Sequence, residues 1–188
     1  STRKESSAAS DVYKRQSMMG AISFVLMFLS FPLPFLPPFL RIDISDLPAL
    51  VITILFGPLA GIIVELLKGV LYFIFASTAE PIGPIANFLA SVIFLYTFYI
   101  LYKKMNKSFI LSGIIATVML TITMTLLNYF VLLPMYGMIM NLDDIMSNIK
   151  TIVAAGIIPF NIVKGLMLTI LLYILNIKLI PMLRDRFL

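Results

Sequence analysis

Long apolar runs separated by short polar segments dominate the chain, at roughly 17–31, 47–76, 84–102, 109–135 and 151–177. They lack the polar stripe that a surface helix presents to water. A helix needs about 20 apolar residues to cross a bilayer, so the pattern predicts an all-α, polytopic membrane protein. The second run is interrupted by Gly57-Pro58, where proline removes a backbone donor and clashes with the preceding turn. One helix over 47–76 gives five spans, whereas a hairpin at Gly57-Pro58 gives six. With six, one side collects Arg3, Lys4, Lys14, Arg15, Lys103, Lys104, Lys107, Lys178, Arg184 and Arg186, and the other receives Asp43, Asp46, Glu80, Asp143 and Asp144. Five spans would set the 103–107 cluster opposite the basic N-terminal segment, against the positive-inside bias. The expected architecture is therefore six transmembrane helices with both termini cytoplasmic. Its second span, 47–56, is short and has to be shielded by its neighbours.

Two segments fall outside this periodicity. Residues 1–16 are polar and lack the apolar centre of a signal peptide. They read as a flexible or artificial leader, with the membrane domain at 17–188. Residues 31–40, FPLPFLPPFL, interleave prolines with Phe31, Phe35 and Phe39, which forbids a regular helix and favours a stiff, extended path. Apolar side chains on such a loop must be buried, against the bundle or over a ligand. In the ISDLPAL that follows, Ser45 or Asp46 is placed to cap a helix and Pro48 falls in its first turn.

Composition narrows the chemistry. The chain is 61% hydrophobic and 12% charged, with a net charge of +5 and neither cysteine nor histidine. Thiol nucleophiles, imidazole bases, disulfides and the usual zinc ligands are excluded. No phosphate-binding loop of the G-x-x-x-x-G-K-[ST] type is present. The excess positive charge is accounted for by topology-setting loop residues rather than by nucleic acid.

Polar groups inside the runs are the candidate site. Glu65 and Lys68 are spaced i, i+3 and can pair on one helix face. Lys164 has no acid within a turn, and Asn161 shares its face. Thr117, Thr121, Thr125 and Asn128 form a stripe on the fifth span, and Asn87 is similar in kind. Intramembrane ionisable groups mark functional sites by default, although threonines in such helices usually bond back to their own carbonyls. Amides present a donor and an acceptor, and an ammonium only donors. Asn128, Asn161 and Lys164 together suit a planar heterocycle with an imide edge. ELLKG at 65–69 recurs loosely as NIVKG at 161–165.

FPLPFLPPFLRIDISDLPAL, LFGPLAGIIVELLKG and NIVKG, in this order, make residues 17–188 resemble the riboflavin-specific S components of energy-coupling factor (ECF) transporters. The resemblance implies a non-enzymatic, six-helix subunit that captures riboflavin from outside a prokaryotic cell, with riboflavin as transported ligand and no cofactor. Its partners would be a transmembrane coupling subunit and two ABC ATPases, in the plasma membrane. Carried onto matching positions, it implies ligand contacts at Leu36, Phe39, Asp43, Asn128, Asn161 and Lys164; Lys68 and Thr125 join them as neighbouring polar candidates. Ser17 and Ala21 fit a small-xxx-small pattern for docking the coupling subunit. The alternatives are an S component for another vitamin such as thiamine, or an intramembrane lipid-modifying enzyme relying on Glu65.

Overall fold

The computed structural model describes residues 2–76, 82–140 and 147–187. Glu80, Asp143 and Asp144, assigned above to the acidic side, lie outside the described residues. Helix α1 (Thr2–Met27) is followed by two short antiparallel strands, β1 (Phe31–Pro32) and β2 (Arg41–Ile42), and then by α2 (Leu47–Phe56) and α3 (Pro58–Phe75). Three longer helices follow, α4 (Ile82–Lys104), α5 (Phe109–Ile139) and α6 (Ile149–Lys178), then a short α7 (Ile180–Phe187). Among the described residues, α3 to α6 are long and apolar enough to cross a membrane. The chain is thus an all-α membrane protein. The segment expected to be a flexible leader continues α1 back to Thr2, with no break at residue 16.

Gly57 divides the second apolar run in two. It sits at φ 97°, ψ 171°, in the region that favours glycine, and Pro58 opens α3 where its missing donor costs nothing. The ten-residue α2 is the innermost helix: every residue from Leu47 to Ile54 is buried. Gly61 allows the pair to close, because a Cβ there would fall on Thr53 and on the Ala49 carbonyl. This short apolar helix is thus enclosed by its neighbours along most of its length.

Helices α5 and α6 meet through a reciprocal pair of contacts. Thr117 of α5 occupies the space where Gly165 of α6 lacks a side chain, and Thr169 of α6 does the same at Gly113 of α5. Both hydroxyls donate to the carbonyl four residues back, Thr117 to Gly113 and Thr169 to Gly165, each at 2.8 Å. Helices in lipid gain no hydrophobic drive toward each other, so small residues and close backbone approach hold them.

Two wide π turns then shape one end of this pair. One spans Asn128–Leu132 in α5, the other Val153–Ile157 in α6. Each is followed two residues later by a proline, Pro134 and Pro159. Proline has no N–H for the carbonyl one turn back, and its ring crowds that turn. The helix widens instead of breaking, as π turns commonly do at functional sites.

The proline-rich loop folds over the same end. Phe31 pairs with Ile42 and Pro32 with Arg41 across β1 and β2. The Arg41 guanidinium donates from Nε to Ser30 Oγ at 2.9 Å and from Nη2 to the Ser30 carbonyl at 2.6 Å, tying the loop's two ends together. Leu36, Phe39, Leu40 and Ile42 pack with Leu133, Val153, Ile157 and Phe160; Leu40 and Ile42 are buried, while Leu36 and Phe39 are half-buried. The expected burial of the loop fails at Phe31, which is exposed, and at Phe35, which is fully exposed at φ 68°. At the opposite end of the bundle, Arg15 lies over the Phe56 ring and Lys103 over Tyr102.

Candidate ligand-binding site

Under the loop lies a cavity of about 160 Å3. The loop contributes Phe39, Leu40, Arg41 and Asp43, with Met27 and Ser30 from the end of α1 and just beyond it. Tyr72 comes from α3 and Asn87 from α4. Helix α5 supplies Met124, Asn128, Leu132 and Tyr136; α6 supplies Ile157, Phe160, Asn161 and Lys164. Apolar walls carrying a few fixed polar groups are what a small-molecule site requires. The π turns bring Asn128 and Ile157 to this wall, and the Phe39 ring meets Tyr136 at a centroid separation of 5.5 Å.

The polar groups are oriented by their own helices. Asn128 Nδ2 donates to the Met124 carbonyl and Asn161 Nδ2 to the Ile157 carbonyl, both at 2.8 Å. Each side chain is buried, and its Oδ1 is left as an acceptor. Asp43 accepts the Ser45 N–H at 2.8 Å.

Lys164, with no acid near it in sequence, belongs to a charged network across four helices. Its Nζ lies 2.9 Å from Asp46 Oδ2 and donates to Asn87 Oδ1 at 2.5 Å. Lys68 reaches the other oxygen of the same carboxylate, Asp46 Oδ1, at 2.6 Å. It also pairs with Glu65 Oε2 at 2.6 Å and donates to Ser45 Oγ at 3.2 Å. Ser91 Oγ donates to Asp46 Oδ1 at 2.8 Å. The two loosely similar segments, ELLKG and NIVKG, thus bring their lysines to opposite oxygens of one buried acid. Buried charges survive only when paired in this way.

These facts correct three expectations. Asp46 and Ser45 make no side-chain cap on α2; both serve the lysines instead, while Pro48 does sit in the first turn. Lys68 does not line the cavity: it donates to Ser45 and Asp46 and is paired in charge with Glu65. Thr125 and Leu36 are also absent from the wall: Thr125 Oγ1 is buried without a partner among the described residues, and Leu36 packs into the apolar cluster of Leu40, Ile42 and Leu133. Phe39, Asp43, Asn128, Asn161 and Lys164 do converge on the cavity. Ser17 and Ala21 lie far along α1 on its exposed face, Ser17 Oγ donating to the Tyr13 carbonyl at 3.0 Å.

Sequence reasoning gave Asp46 only a capping role and grouped Asn87 with the other amides without giving it a partner. The available signal for Asp46 was charge balance: two lysines and one glutamate within the spans leave a cation unmatched, and an acid opening an apolar helix is the nearest candidate. For the π turns it was the position of Pro134 and Pro159 inside apolar runs.

A helical membrane bundle with an apolar cavity at one end, under a loop and lined by a few oriented polar groups, has the form of a small-molecule binding subunit. Residues 15–176 match the family described as ECF transporter, substrate-specific component. The chain belongs to that family, whose members are transporter subunits and not enzymes. It is 53% identical over 165 residues to the riboflavin transporter RibU of Staphylococcus aureus (strain TCH60), covering 87% of each chain. It is 43% identical over 172 residues to the riboflavin transporter FmnP of Bacillus subtilis (strain 168), covering 88% of this chain and 90% of that one. Among solved structures, the S component of a bacterial ECF transporter superposes with a TM-score of 0.80 at 45% identity, covering 94% of this chain and 99% of that one.

Proposed function

We propose that this chain captures riboflavin at the outer face of a bacterial plasma membrane and hands it to an ATP-driven energy-coupling module. The observation that carries the reading is the donor and acceptor set in the cavity. An imide edge presents a donor between two carbonyl acceptors. Asn128 and Asn161 each leave an amide oxygen for the donor, and Lys164 leaves an N–H for a carbonyl. The apolar walls suit a ring system, and Asp43, Ser30 and Tyr72 offer partners to the hydroxyls of a ribityl chain, whose desolvation would otherwise cost several kcal/mol. A cationic vitamin such as thiamine would call for a net negative site, whereas the charged side chains on this wall are two cations, Arg41 and Lys164, and one acid, Asp43.

Six spans complete the reading, with α1 and the buried α2 counted beside the four longer helices. Both termini and the Lys103–Lys107 cluster face the cytoplasm, and the cavity opens outward. The coupling subunit docks on the exposed face of α1 at Ser17 and Ala21, and two ABC ATPases supply the energy. Quenching of riboflavin fluorescence by the purified chain tests the ligand: saturable binding at one per chain is expected, and its absence contradicts the assignment.

A further inference from the structure

We propose that Asp46, which does not itself line the cavity, is a positioning residue of the vitamin site, holding the Lys164 ammonium by charge so that an N–H remains for a carbonyl acceptor on the ligand. The inference rests on the flavin reading above and adds to it a residue that touches no ligand. An ammonium has three donors and no acceptor. Among the described residues, Lys164 gives one to Asn87 Oδ1, and its Nζ lies 2.9 Å from Asp46 Oδ2 as an ion pair without hydrogen-bond geometry, so N–H remains for a ligand.

The carboxylate can fix that geometry because it is itself fixed. Asp46 is 1% exposed, and its other oxygen is gripped by Lys68 at 2.6 Å and Ser91 at 2.8 Å. Lys68 is locked to Glu65 on its own helix at 2.6 Å. Lys164 therefore hangs from a chain of buried contacts running from α3 through the start of α2 and α4. A long, flexible ammonium would otherwise lose rotamer freedom on meeting a ligand, a cost that preorganisation removes. The two lysines and two acids cancel in charge, so the remaining N–H addresses an uncharged carbonyl without an unpaired charge in the membrane interior.

The test is a double-mutant comparison of riboflavin affinity in Lys164→Gln and in Asp46→Asn combined with Lys164→Gln. Asparagine keeps an acceptor for Lys68 and Ser91, and its amide can meet the carbonyl of the substituted glutamine. If Asp46 acts through Lys164, Lys164→Gln weakens binding by roughly 10- to 150-fold, and adding Asp46→Asn changes it by less than about fivefold. A further loss larger than that, or parent-like binding by Lys164→Gln, overturns the inference while parent binding leaves the flavin reading standing. Failure of the parent to bind riboflavin sinks the flavin reading itself. Ser91→Ala provides a milder second comparison that does not touch the ion pairs. It loosens Asp46, so it weakens binding a few-fold when Lys164 is present and not in the Lys164→Gln background. Equal losses in both backgrounds indicate a purely structural carboxylate and overturn the proposal.

Discussion

Replacing Asn128 or Asn161 by alanine separates the cost to the ligand from the cost to the fold. Each asparagine uses Nδ2 on a carbonyl of its own helix at 2.8 Å. At Asn128 that carbonyl, of Met124, also accepts the backbone N–H of residue 128, so truncation leaves no orphaned backbone group and should barely affect folding. The amide oxygen facing the cavity is another matter. Without it, the ligand donor it serves is buried unpaired, at about 1–3 kcal/mol, or roughly five- to 150-fold in affinity. Thr117 is the control: its hydroxyl bonds to Gly113 and its side chain packs on Gly165, away from the cavity wall. Thr117→Val keeps that shape and should bind like the parent. The assay is riboflavin titration by fluorescence quenching on detergent-purified variants with parent-like thermal unfolding. Parent-like affinity in both asparagine variants would refute the assignment of these amides to the ligand.

Two further outcomes follow from the divided architecture. In liposomes supplied with external ATP but no other subunit, the chain should bind riboflavin without concentrating it, and uphill accumulation would show that it needs no coupling module. Single cysteines at Asn106 and Phe35, both exposed, should label from opposite sides of intact cells; labelling of position 106 from outside would overturn the six-span orientation.

The apolar periodicity and the Gly57-Pro58 break were readable in the sequence because each follows from a local rule: bilayer length for the runs, proline and glycine chemistry for the break. The family was readable from the proline-rich loop and the segments that follow it. The convergence of Phe39, Asp43, Asn128, Asn161 and Lys164 on one cavity came through that resemblance. Periodicity alone places the last three on the inner faces of two helices without saying that those helices meet. Asp46 escaped because a short polar residue before an apolar helix has an ordinary local role as a cap. Only the three-dimensional fold shows two lysines, 96 positions apart, sharing its carboxylate. The π turns escaped for a related reason. A proline inside a helix predicts a disturbance, but whether the chain kinks, breaks or widens depends on packing, here of α5 on α6 and of the loop on both.

Equilibrium titration of the purified parent chain with riboflavin, with thiamine as competitor, tests the central claim most directly. The account predicts saturation at one riboflavin per chain, undisturbed by thiamine in large excess. Binding that fails to saturate, or that thiamine displaces, would contradict it.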